Sequence, residues 1–143
     1  MRNSEKNSKE LKNDVVIITD HSPLTENLIE WLNNIYPQIL LFNGDQDTES
    51  FSFLKIIKPE LIIIDPGFTH RRESELMEIL KTELVSTKLI ILSFYESKKY
   101  RNFMESTGIK GAIIKWKNYT ELPFLMHSML KHPSLSKPAF FVK

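Results

Sequence analysis

The sequence predicts an α/β domain: a five-stranded parallel sheet of order 2-1-3-4-5, doubly wound with helices on both faces. Three observations predict it. Five short apolar runs, rich in Val, Ile and Leu, begin near residues 15, 38, 61, 88 and 111. Segments with helical apolar spacing separate them, so the pattern repeats every 23 to 27 residues. Such strand–helix alternation means βαβ units, whose crossovers are right-handed and cover both faces of a parallel sheet. The length, 143 residues, suits one domain with a sizeable core rather than two.

The elements follow in order. Residues 1–13 are Lys, Asn, Glu and Ser with little apolar content and read as a solvated tail. The domain proper is expected over 14–131. Val15 to Thr19 forms the first strand, ending at Asp20 and His21. Ser22-Pro23 starts a helix, with Ser as N-cap and Pro in the first turn. Leu24, Leu28, Trp31, Leu32 and Ile35 share its apolar face, and Pro37 stops it. Gln38 to Phe42 is a second strand. Phe51, Leu54 and Ile57 mark a second helix, which ends before Pro59. Trp31 and Phe51 read as core.

Leu61 to Ile64 is the third strand. Four apolar residues in a row, three of them β-branched, suit a strand buried on both faces. Asp65-Pro66-Gly67 ends it. Leu76, Met77, Leu80 and Leu84 mark a third helix, and Lys88 to Ser93 is a fourth strand. Tyr100, Phe103 and Met104 mark a fourth helix, closed by Gly108 in a left-handed cap. Gly111 to Lys115 is the fifth strand. Asn118 or Thr120 caps a last helix that runs through Leu130, with Pro123 in its first turn. Residues 132–143 contain Pro, Ser and a late apolar cluster, and read as a linker or docking tail.

Composition narrows the function. Net charge is +1, so no overall field selects nucleic acid or membrane. The chain has no cysteine, which excludes a disulfide framework, thiol catalysis and Cys-based zinc sites. No apolar run is long enough to span a membrane, and the polar first residues lack the apolar stretch of a signal peptide. The cytoplasm is the expected compartment. There is no GxGxxG or Walker loop, so a nucleotide enzyme is not expected. His21 and His70 lack close ligand spacing and read as loop histidines. Arg71 and Arg72 read as an exposed loop pair. Lys98, Lys99 and Arg101 read as a solvated helix face, with partner docking as the alternative.

In a 2-1-3-4-5 sheet the carboxyl ends of strands 1, 3, 4 and 5 share one rim, where open α/β sheets place their sites. Those ends carry Asp20, Asp65, Ser93 and Lys115. Two close carboxylates repel, and a hard divalent cation relieves the repulsion. A carboxylate can attack phosphorus, while Ser and Lys donors hold phosphoryl oxygens.

This order of residues resembles the receiver (response regulator) domains of two-component signalling systems, CheY-like proteins, over residues 14–131. The resemblance implies that Asp65 accepts a phosphoryl group from a histidine kinase or phosphotransfer protein and switches an output. Ser93 matches the family's hydroxyl and Lys115 its lysine. Mg²⁺ would be held by Asp20, Asp65 and the carbonyl of Gly67. Such a domain is a phosphoacceptor rather than an enzyme, and a second copy of the chain is a further expected partner. The tail from Ser134 to Pro138 also resembles the linker after the receiver in LuxR-type transcription regulators. Contact with DNA would come only through an output domain absent from this chain, and no membrane contact is expected.

The sequence departs from the family at several places. Thr19 stands where the first acid of a pair is usual. The loop after Asp65 lacks the usual Met-Pro and later Gly. Phe94 follows Ser93 where a small residue is usual. Ala112 replaces the switch aromatic, and Trp116 the proline after the lysine. The bulk after strand 4 makes that loop the expected moving part, with Phe94 or Tyr95 as its ring, or Phe94 as a static lid. The alternative function is a pseudo-receiver, an interaction or dimerisation module without phosphorylation, which Thr19 and Phe94 favour.

Overall fold

A computed structural model of the chain describes residues 15–19, 23–36, 39–43, 50–65, 72–94 and 98–130. The expected N-terminal tail, the Ser22 cap and the C-terminal linker lie outside them. The strands are β1 (Val15–Thr19), β2 (Leu40–Asn43), β3 (Leu61–Ile64), β4 (Lys88–Ser93) and β5 (Gly111–Lys115). The helices are α1 (Pro23–Ile35), α2 (Ser50–Ile57), α3 (Glu73–Thr82), α4 (Lys98–Thr107) and α5 (Leu122–Met129). All the strand pairings are parallel, and hydrogen-bonded neighbours run β2-β1-β3-β4-β5.

Pleating splits β3 between two cores. Ile62 and Ile64 pack with Phe51 and Leu54 of α2, Leu76 and Leu80 of α3, and Tyr100 of α4. Leu61 and Ile63 pack with Leu28 and Leu32 of α1 and Leu122 and Met126 of α5. A strand so placed has no face for water, which is why it reads as an unbroken apolar run. The register sets Ile18 against Ile64 and Ile64 against Ile91. Burial of each Leu or Ile contributes about 1.5–3 kcal/mol, and every residue of β3 is buried.

Element boundaries depart from the sequence pattern in three places. β2 begins at Leu40 rather than Gln38, the latter outside the described residues. α3 ends at Thr82, and Leu84 is buried beyond it. The last helix does not start from an Asn118 or Thr120 cap. A 3₁₀ segment over Trp116–Glu121 comes first, kinked at Asn118, and α5 follows. Pro123 lies in the first turn of α5, where its missing N–H costs no helical bond.

Two glycines do specific work. Gly108 closes α4 with φ +79°, and its N–H donates to the Met104 carbonyl at 2.9 Å. Gly111 opens β5 where a Cβ would fall on the Leu89 carbonyl oxygen and 2.9 Å from the Met104 sulfur. Adding a methyl there must push β5 off β4. Gly111→Ala is expected to destabilise the fold by about 1–3 kcal/mol, read as a lower urea midpoint. A substituted chain with an unchanged midpoint would mean that β5 is not held so close.

Candidate functional site

The carboxyl rim of the sheet is built by strand ends. Asp65 is the first residue past β3 and only 2% exposed. Its backbone N–H continues the ladder, donating to the Ile18 carbonyl at 3.0 Å. That bond fixes where the carboxylate leaves the strand. The Thr19 hydroxyl, at the end of β1, donates to Asp65 Oδ2. Thr19 is itself fully buried, and its oxygen lies 3.5 Å from the Thr25 hydroxyl of α1. A carboxylate removed from water needs donors to replace its hydration. Thr19 supplies one.

Ser93 and Lys115 close the rim on the other side. They are register partners on β4 and β5, Ser93 half-buried and Lys115 exposed. The structure therefore joins Thr19 to Asp65, sets Ser93 beside Lys115, and brings both pairs to one edge. Asp20, His21, Gly67, His70 and Tyr95 lie outside the described residues. Phe94 is 47% exposed, its ring 6.2 Å from that of Trp116. From there an aromatic row continues to Tyr119, stacked at 6.0 Å, and to Trp31, edge-on to Tyr119 at 5.6 Å. Trp31 is thus half-buried in a surface row, not a plain core residue.

Among the described residues no group of three His, Asp or Glu side chains converges as a metal site. They offer the rim one carboxylate, Asp65, whose Oδ2 already accepts the Thr19 hydrogen bond. Mg²⁺ is usually held through one or two carboxylates together with substrate phosphates. The described donors do not by themselves make up a Mg²⁺ site.

A second polar cluster lies where α3 meets α4. Glu73 opens α3 and is 4% exposed. Its Oε1 accepts from Lys99 Nζ at 2.5 Å, and its Oε2 from the Tyr100 hydroxyl. Just before it, Arg72 stacks over the Phe51 ring at 4.0 Å and grips Glu75 through Nε and Nη2, at 3.1 and 3.4 Å. Lys99 therefore has a partner on the neighbouring helix and is not simply a solvated face. Sequence reasoning passed over Glu73, because an acid in a helix's first turn is ordinary at the surface. Its only signal is the polar Tyr100 on an otherwise apolar α4 face. Among the described residues no buried side-chain nitrogen or oxygen lacks a hydrogen-bond partner.

No known protein-family model and no curated protein matches this sequence. Among the described residues, no helix is long and apolar enough to cross a membrane.

Burial, then the hydrogen bond and the charge of Glu73, hold the Tyr100 phenol well above its ordinary pKa of 10.0. Burial also raises Tyr36. A raised folded-state pKa keeps its full stabilising effect below the unfolded value and loses it as pH climbs past that value. The fold is therefore expected to weaken above pH 10.0. Tyr100→Phe should cost about 1.5–3 kcal/mol at neutral pH and flatten the alkaline decline. Urea unfolding of both chains across that range checks both parts.

Proposed function

We propose that this chain is a receiver-type signalling domain that accepts a phosphoryl group on Asp65 from a histidine kinase or phosphotransfer protein. On this reading the sheet takes its finer class, a doubly wound, flavodoxin-like and CheY-like fold. The observation that carries the reading is the placement of Asp65. It ends the central strand between β1 and β4 and accepts the Thr19 hydroxyl, with Ser93 and Lys115 along the same rim.

In the proposed step a carboxylate oxygen of Asp65 attacks phosphorus in line with the phosphohistidine nitrogen. An O–P bond forms and the P–N bond breaks. The imidazole nitrogen keeps the electron pair and takes up a proton. The product is an acyl phosphate, with more negative charge at the rim than before. Lys115 and Ser93 are the groups assigned to the phosphoryl oxygens, by charge and by hydrogen bond. Thr19 orients the carboxylate by holding Oδ2. At 2% exposure Asp65 has to be uncovered before it can react. On this reading Mg²⁺ would be held by Asp65 together with Asp20 and the Gly67 carbonyl, which lie outside the described residues, and would offset the charge of the phosphoryl group. The output then follows the population of the phosphorylated conformation, which shifts only by the differential interaction of the new charge with the two states.

A second reading draws on the same burial. An acid held by a neutral hydroxyl under cover can serve the fold alone, leaving a pseudo-receiver that docks partners or a second copy without phosphorylation.

Intact mass after treatment with a small phosphoramidate donor separates the two. The receiver reading expects one added phosphoryl group, lost in Asp65→Asn. Thr19→Val keeps the acceptor but removes its orienting donor, and labelling should slow by about ten-fold or more. No added mass on the unsubstituted chain would overturn the proposal in favour of the second reading, and labelling that survives Asp65→Asn would remove Asp65 as the acceptor.

A further inference from the structure

The Glu73 cluster joins the two helices that follow the two rim residues of the central strands. Asp65 leads through residues 66–72 into α3, whose first residue is Glu73. Ser93 leads through residues 94–97 into α4, whose second and third residues are Lys99 and Tyr100. The carboxylate that binds both of them therefore ties the start of α3, the helix after β3, to the start of α4, the helix after β4.

We propose that Glu73 is a coupling latch, which transmits a change of charge at Asp65 to α4 through its bonds to Lys99 and Tyr100. Three features support this. Glu73 is buried, so its charge cannot leave its partners without a penalty, and the contact tends to be made or lost as a unit. Each oxygen has a different donor, Lys99 on Oε1 and the Tyr100 hydroxyl on Oε2, so a shift of α3 pulls on α4 at two points. The electrostatics also favour the shared site. The first turn of α4 holds no acid and carries Lys98 and Lys99, opposite to what the positive end of a helix prefers. Glu73 supplies that turn with the negative charge it lacks, from a neighbouring helix.

The α3 side of the latch is anchored independently. Arg72, adjacent to Glu73, lies over Phe51 of α2 and pairs with Glu75. The start of α3 is thus held against α2, and Glu73 is its reach toward α4. The proposal goes beyond phosphorylation and does not depend on it, because Asp65 can be neutralised by substitution.

The test measures amide hydrogen exchange of the full-length chain over residues 98–107. Asp65→Asn is introduced alone and together with Glu73→Gln. Coupling of the usual strength predicts that Asp65→Asn alone changes exchange in α4 by about five-fold or more. With Glu73→Gln present, the same substitution should change it by less than about two-fold. A merely structural Glu73 would alter the starting exchange of α4 and leave the effect of Asp65→Asn intact, which would overturn the proposal. So would an α4 that does not respond to Asp65→Asn at all. Tyr100→Phe removes one of the two bonds while keeping the Lys99 pair, and so covers a Glu73→Gln chain that fails to fold. It should reduce the response part of the way, and a full response there would also count against the latch.

Discussion

A strand with both faces in the core can offer polar chemistry only where it stops, and Asp65 is where β3 stops. Its charge lies under cover, so the neighbouring strand has to supply part of what water would. The Thr19 hydroxyl does so from β1, and the parallel register makes it possible. With Ile18 opposite Ile64, the next residue on each strand meets at the rim. A slip of one position would turn Thr19 to the opposite face of the sheet, and the carboxylate would lose its donor. The apolar pairing in the core and the polar pairing at the edge therefore enforce one alignment.

The other end of the sheet is fastened differently. The Thr87 hydroxyl donates to the Pro59 carbonyl at 2.7 Å, and Lys88 pairs with Glu60 at 3.7 Å. These contacts sit at the entries to β3 and β4 and bind one loop to another. The central strands are thus pinned where they begin, while their exits carry Asp65 and Ser93. Beyond those exits Glu73 joins the start of α3 to the start of α4.

The alternation of strands and helices was legible because two-face burial leaves unbroken β-branched runs and amphipathic helices leave a separate spacing. Gly108 was legible because a left-handed helix end has few alternatives. Other features were not. The 3₁₀ turn before α5 replaces a side-chain cap with a tighter backbone, and Asn118 and Thr120 look the same either way. Thr19 reads as a missing acid in the sequence. Its hydroxyl acquires a purpose only when the β1–β3 register brings Asp65 beside it. Glu73 and Lys99 are 26 residues apart, and each looks solvated on its own helix. Their meeting is a product of helix packing, which no local pattern carries.

The aromatic row has an optical consequence. The chain has two tryptophans, and both belong to that row, Trp31 at one end and Trp116 next to Phe94. They pack with the layer of α1 and α5, whereas α2, α3 and α4 cover the opposite face. Indole emission from this protein is therefore a one-sided reporter. It follows the exits of β4 and β5 and the contact of α1 with the 3₁₀ turn. Rearrangements confined to the α3–α4 layer leave indole emission unchanged, while absorbance of the Tyr100 phenol would see them.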